Sequence, residues 1–311
     1  MSEDFRLYHV AKLYYIDHVK QTEIAEMLGI SNMLVSRILK RAETERIVTF
    51  QVKSPDKLNW ETGNLVKKKY PMLKEALVVQ LEQKENSRQQ IGRVAAEYVA
   101  NLMTENSILG VSWGRTICEF AKSLHGTSFP GAKVIQMSGG FLYENDMMMM
   151  PSNLVKLVSD RLQCEPVFLN APLYVPTEET RRVLMQDPIC QYVQRLAAKC
   201  HITIYGLSSL SESATTMHVG VLTQEDISEL QEKGAIGDVM GFFIDANGEL
   251  VDWSKKDCNI GVHLDVVAAA PHAVCLAGEE EKAAVLKKAI EKRYCNTIII
   301  SGSVAELLLN D

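Results

Sequence analysis

From Ala76 onward, short apolar and β-branched runs alternate with helical stretches, and that alternation constrains the fold more than any other feature of the chain. Runs of this length with helices between them are the signature of a parallel sheet joined by crossover helices. The pattern predicts strands at 76–81, 108–111, 133–137, 167–170, 202–205, 273–277 and 297–300. Helices are predicted at 88–103, 116–124, 153–162, 189–199, 224–233, 280–293 and 304–310. The larger part of the chain is therefore an α/β domain.

The first 55 residues follow a different rule. Leu7, Val10, Ala11 and Tyr14 fall at i, i+3, i+4 and i+7, the apolar stripe of an amphipathic helix over 5–17. A second short helix fits 21–28, with Ile24, Ala25 and Leu28 inward, and Gly29 supplies the left-handed residue on which a helix stops. Ser31 is placed to cap a third helix whose inner face is Leu34, Val35, Ile38 and Leu39. The β-branched stretch 47–52 reads as a wing strand. Helix, glycine turn and second helix form the layout of a winged helix-turn-helix, which lays its second helix in the major groove of double-stranded DNA.

The outer face of that helix carries Asn32, Met33, Ser36, Arg37, Lys40 and Arg41. Asn32, Met33, Ser36 and Arg37 are the base-edge candidates, Arg37 for guanine and Asn32 for adenine, while Lys40 and Arg41 are better placed for phosphates. Gln21 and Ser31 complete the candidate set. The alternative for all of them is a solvated helix face. After Pro55 a lysine-rich helix runs to Tyr70 and ends at Pro71, the composition of a linker. Three regions follow: 1–55 for DNA, 56–75 as linker helix, and 76–311 for effector binding and oligomerisation.

Composition narrows the function classes. With 311 residues and 47% hydrophobic content, the chain has enough apolar side chains to build its cores. The formal net charge is −6, yet residues 1–57 hold nine basic and eight acidic side chains and carry +1. So small a local excess predicts that tight DNA binding needs more than one copy of the domain. Seven widely spaced cysteines without a C-x-x-C pair exclude a disulfide scaffold and a structural zinc site, and no cofactor is expected. His218, His263 and His272 lack metal-ligand spacing. An acidic N-terminus and a longest apolar stretch, 266–278, broken by Pro271 and His272 give a cytoplasmic reading without a membrane span. Met147 to Met150 form a methionine run that suits a loop packed over a pocket, loop filler or a partner contact.

Val10-Ala11-Lys12-Leu13-Tyr14-Tyr15, Gln21 through Ser31, and Val35-Ser36-Arg37-Ile38-Leu39 together resemble the start of the SorC family of bacterial transcriptional regulators. The likeness continues through Ile108 to Thr116, Gly139-Gly140, Asn170-Ala171-Pro172-Leu173, Gly234 to Asp238, Phe243 to Gly248, and Ala277-Gly278 followed by Lys282. The resemblance implies a helix-turn-helix repressor or activator with a C-terminal domain like that of sugar-phosphate isomerases and deaminases. It also implies a sugar or phosphorylated sugar as effector, and a homo-tetramer. Two departures stand out. Asn32 replaces the arginine common after the recognition-helix serine, and Glu279-Glu280-Glu281 replaces a small or neutral stretch.

On these motifs the effector candidates are Ser112, Trp113, Gly114, Arg115, Thr116, Gly139, Gly140, Asn170, Asp238 and Lys282. Ser112 to Thr116 bridge a strand end and a helix start, where backbone N–H groups converge on an anion and open α/β sheets hold their ligands. Trp113 suits stacking on a sugar face or a place in the core, and Gly139-Gly140 suit close backbone approach or a plain turn. Asp238 suits acceptance from sugar hydroxyls or capping of a turn, and Lys282 suits a phosphate. The three glutamates would repel a dianion unless their carboxylates point away. The rival reading is a sugar-phosphate isomerase or deaminase fused to a DNA-binding domain, with Asp238 as base. Ser138, before the two glycines, offers no amine for Schiff-base chemistry.

Overall fold

The computed structural model describes residues 3–50, 58–81, 86–142, 146–211 and 220–310. Two compact units result, Met1–Pro55 and Asp56–Asp311. The first unit holds α1 (Glu3–Ala11), which runs on into a π-helical turn (Lys12–Ile16), then α2 (Gln21–Leu28) and α3 (Asn32–Thr44). Leu7 and Val10 of α1, Ile24 of α2, and Val35, Leu39 and Ala42 of α3 close one small core.

Gly29 ends α2 at φ 63°, and the Ser31 hydroxyl caps α3 by accepting from the Leu34 N–H at 3.2 Å. The Tyr15 hydroxyl donates to the Glu43 carboxylate at 2.6 Å and ties the π-turn to α3. The expected wing strand is not formed over residues 47–50, and 51–52 lie outside the described residues. Arg46 takes φ 58°, and the N–H groups of Ile47 and Val48 both donate to Ala42 O at 2.9 and 3.1 Å. The chain is thereby folded back onto the end of α3. β-Branched composition makes a strand only where a partner strand is available.

The second unit runs α4 (Trp60–Lys69), β1 (Glu75–Val79), α5 (Ser87–Leu102), β2 (Ile108–Val111), α6 (Arg115–Ser123), β3 (Lys133–Gln136), α7 (Pro151–Leu162) and β4 (Glu165–Val167). It continues with α8 (Glu178–Leu184), α9 (Pro188–Ala197), β5 (Ile202–Ser209), α10 (Gln224–Glu232), β6 (Ala235–Val239) and β7 (Phe242–Asp245). The last elements are α11 (Leu264–Ala268), β8 (His272–Ala277), α12 (Ala283–Glu291), β9 (Thr297–Ser301) and α13 (Gly302–Asn310). Seven strands pair in parallel in the order β1-β9-β8-β5-β2-β3-β4. The β6–β7 hairpin adds antiparallel to the far end of β5, Ser208 facing Asp238. Ile299 and Val274 belong to the apolar cluster on one face of the sheet, Ile298 and Cys275 to the cluster on the other, as alternation along a strand covered on both faces requires.

The lysine-rich helix of the expected linker packs inside this second unit. Val66 of α4 is fully buried, and a Cβ at Gly63 would lie 2.4 Å from Ala76 O, so the helix backbone rests directly on β1. Lys69 Nζ and the Tyr70 hydroxyl donate to the carbonyls of Leu309 and Leu308 at 3.0 and 3.2 Å, capping the C-terminal end of α13.

Candidate effector cleft and recognition helix

β2 leads outward to β3 and β4, whereas β5 leads the other way to β8 and β9. Because β2 and β5 are neighbours, the crossovers diverge between their C-terminal ends and leave a crevice there. An open cleft occupies it. Trp113, Gly114, Arg115, Thr116 and Ile117 line it from the β2–α6 side, and Gly206, Leu207 and Ser208 from β5. Asp238 and Met240 of the hairpin, Glu281 and Lys282 after β8, and Arg88 of α5 close it.

A glycine turn joins β2 to α6, the strand end and helix start that the sequence predicts. Gly114 sits at φ 136°, a conformation open to glycine, and Arg115 begins the helix with its side chain exposed. Thr116 is buried at the wall. Trp113 is 6% exposed and lies edge-on against Phe141 at 4.9 Å, so it is a core tryptophan whose edge borders the cleft. Its indole N–H is closed to water and finds no acceptor among the described residues. Ser112 lies below the cleft floor, donating its N–H to Ile204 O at 3.0 Å, with its hydroxyl 3.4 Å from that of Ser138.

Asp238 lines the cleft and also caps the hairpin turn. One carboxylate oxygen accepts from the Ser208 hydroxyl and the other from the Gly241 N–H at 2.8 Å. Lys282 Nζ lies 2.8 Å from one oxygen of Glu279, whose other oxygen is 2.6 Å from Arg88 Nε. Burial alone would push the Glu279 carboxyl up, but Lys282 and Arg88 outweigh it and hold the group below its usual range. The acid that sequence placed as a repellent is thus the counter-ion of two cleft cations. Arg88 and Glu279 escaped the sequence reading as site residues because α5 reaches the cleft from a distant part of the chain.

Gly139, Gly140 and Asn170 stand apart from the cleft. A Cβ at Gly139 would meet Pro172 O at 2.3 Å, and its N–H donates to Ile260 O at 2.7 Å, so close passage of two chain segments demands the glycine. Gly140 donates to Ala171 O at 2.7 Å, and Asn170 is exposed beyond β4. Among the described residues no group of three or more His, Cys, Asp or Glu is arranged to hold a metal.

On α3, the side chains of Asn32, Met33, Ser36, Arg37 and Lys40 are exposed together, Met33 at 73%. Ser31 caps the helix and Gln21 opens α2, half-buried. Arg41, one turn on from Arg37, is exposed as well. Its guanidinium pairs with Glu3 of α1 and with Glu45, which braces the unit. Both acids hold Arg41 above its ordinary range, with Glu45 the larger cause.

Residues 57–310 match the family described as "Putative sugar-binding domain", and the chain belongs to that family. The match runs beyond the domain to whole regulators. The chain is 27% identical over 303 residues to the deoxyribonucleoside regulator of Bacillus subtilis, covering 97% of this chain and 96% of that one. It is 26% identical to the sorbitol operon regulator of Klebsiella pneumoniae, over 99% of each. The crystal structure of that full-length Klebsiella protein superimposes with a TM-score of 0.73, covering 99% of this chain. A DeoR family transcriptional regulator from Listeria monocytogenes, 24% identical, shares the fold at a TM-score of 0.74 over 80% of this chain.

Proposed function

We propose that the protein is a DNA-binding transcriptional regulator whose grip on its operator is set by a sugar or phosphorylated sugar in the β2–β5 cleft. One observation carries the reading: a single chain joins a helix with an exposed polar face, capped by Ser31 after the Gly29 turn, to a family sugar-binding domain with an open cleft at its strand ends. Asn32, Met33, Ser36 and Arg37 read base edges, and Lys40 holds a phosphate. The weak positive charge of the first unit makes a homo-oligomer, a tetramer on the family resemblance, the binding species. Two copies on a two-fold axis would read a palindrome.

The effector acts by binding one arrangement of the subunits more tightly than another, since equal binding shifts nothing. The cleft binds its ligand and returns it unchanged. Asp238, the carboxylate best placed as a base, has both oxygens engaged by the Ser208 hydroxyl and the Gly241 N–H, and Ser138 supplies no amine. Among the described residues no helix is long and apolar enough to cross a membrane. The regulator's place is with the DNA in the cytoplasm.

The test begins by selecting duplexes from a random pool with the purified full chain. Arg37→Ala and Asn32→Ala should each weaken binding to the selected duplex at least tenfold, or change the sequence selected, with the circular dichroism of the wild type. Unaltered affinity and sequence in both variants would remove α3 as the reading helix.

A further inference from the structure

The charges around the cleft balance. Arg88, Arg115 and Lys282 face it as cations, Asp238 and Glu281 as carboxylates, and Glu279 pairs with Arg88 and Lys282 from behind. Both oxygens of Glu279 are closed to water, while the Lys282 and Arg88 side chains are 14% and 27% exposed. The pairing is therefore largely sheltered from solvent, where charges act strongly.

We propose that Glu279 sets the ligand class, neutralising Arg88 and Lys282 so that the cleft selects an uncharged polyhydroxy compound over its phosphate ester. This rests on the cleft being the effector site. A phosphate dianion drawn to Arg88 and Lys282 must pull them off Glu279, and that leaves a carboxylate buried without its partners, a heavily penalised state. It must also sit beside Asp238 and Glu281. The N-terminus of α6 offers about half a unit of positive charge, and together with Arg115 it still falls short of the two cleft acids. A neutral polyol meets none of these penalties. Its hydroxyls donate to Glu281 and to the remaining lone pairs of Asp238, and accept from guanidinium N–H groups at the cleft wall. Below its usual range, the Glu279 carboxyl stays ionised throughout the physiological pH range.

The experiment uses the full chain in thermal-shift and calorimetric titrations against pentoses, hexoses and alditols, their monophosphate esters, and inorganic phosphate alone. The wild type should respond to at least one uncharged compound and bind the matching ester at least tenfold more weakly. Glu279→Gln should gain at least tenfold in affinity for inorganic phosphate, and Glu281→Gln, at an exposed rim position, about threefold. The second variant keeps the test decisive should the first fail to fold. An ester that binds the wild type more tightly than its parent sugar would overturn the proposal, as would absence of any phosphate gain in the variants. Silence of the wild type toward every sugar, with phosphate gained by Glu279→Gln, would count against the effector reading of the cleft and for the charge assignment.

Discussion

Gly139 and Gly140 are adjacent and chemically identical, yet the structure asks different things of them. A methyl group at Gly139 meets the Pro172 carbonyl at 2.3 Å, whereas at Gly140 the nearest atom is 3.8 Å away. Gly139→Ala is expected to lose roughly 1 to 3 kcal/mol through overpacking against backbone. Gly140→Ala should stay within about 1 kcal/mol of wild type. Urea unfolding of the two variants side by side checks the contrast. Sequence shows a glycine pair after a strand and no more, because the obstacle comes from a segment more than thirty residues on. Asp226 makes a second prediction at this scale. Burial would raise its carboxyl, but Lys255 at 2.5 Å and the Thr223 capping box prevail and lower it below 3.8. A depressed carboxyl stabilises the fold fully above its unfolded value and loses that contribution as pH falls through the folded one. The stability of the wild type should therefore drop more steeply below about pH 4 than that of Asp226→Asn, as measured by urea midpoints across that range. Parallel curves would remove Asp226 from the acid response.

Secondary-structure elements were legible where periodicity is strong and hidden where it is local. α2 and α3 were readable because Gly29 and Ser31 mark a stop and a start in chemistry that does not depend on the rest of the fold. Ser31→Ala should lower the stability of the first unit by about 1 kcal/mol, seen as a drop in its thermal midpoint. The β6–β7 hairpin was missed because Gly237 and Asp238 break the apolar alternation. Gly237 is there because any Cβ would strike Ser208 O at 2.1 Å. α8 buries none of its residues, and α11 has only five, so neither shows an apolar stripe. The brace between α1 and α3 was equally invisible, since Glu3 and Arg41 are far apart in the chain. It has a consequence for DNA binding. Lys40→Ala should weaken operator affinity and flatten its salt dependence by about one unit of slope, while Arg41→Ala changes both less, by fluorescence anisotropy at several salt concentrations. Equal effects would mean that Arg41 leaves Glu3 to meet phosphate.

At the scale of the whole molecule, the proposed function joins a weakly positive first unit, read as the DNA-binding part, to a larger sugar-binding domain with a polar cleft at its strand ends. Sequence showed both halves through the βα alternation and the cap-and-turn pattern. It did not show that Glu279 serves the cleft as counter-ion, because ion pairing depends on which strand ends meet. Linkage ties the two halves: a ligand that changes operator affinity must have its own affinity changed by operator to the same degree. The most direct test is a titration of the full chain with its selected duplex by anisotropy, with and without a saturating amount of the compound that gives the largest thermal shift. The account predicts a tenfold or greater change in the DNA dissociation constant for the wild type and a much smaller one for Arg115→Ala at the same ligand concentration. A ligand that binds the cleft while leaving the DNA dissociation constant unchanged would contradict it.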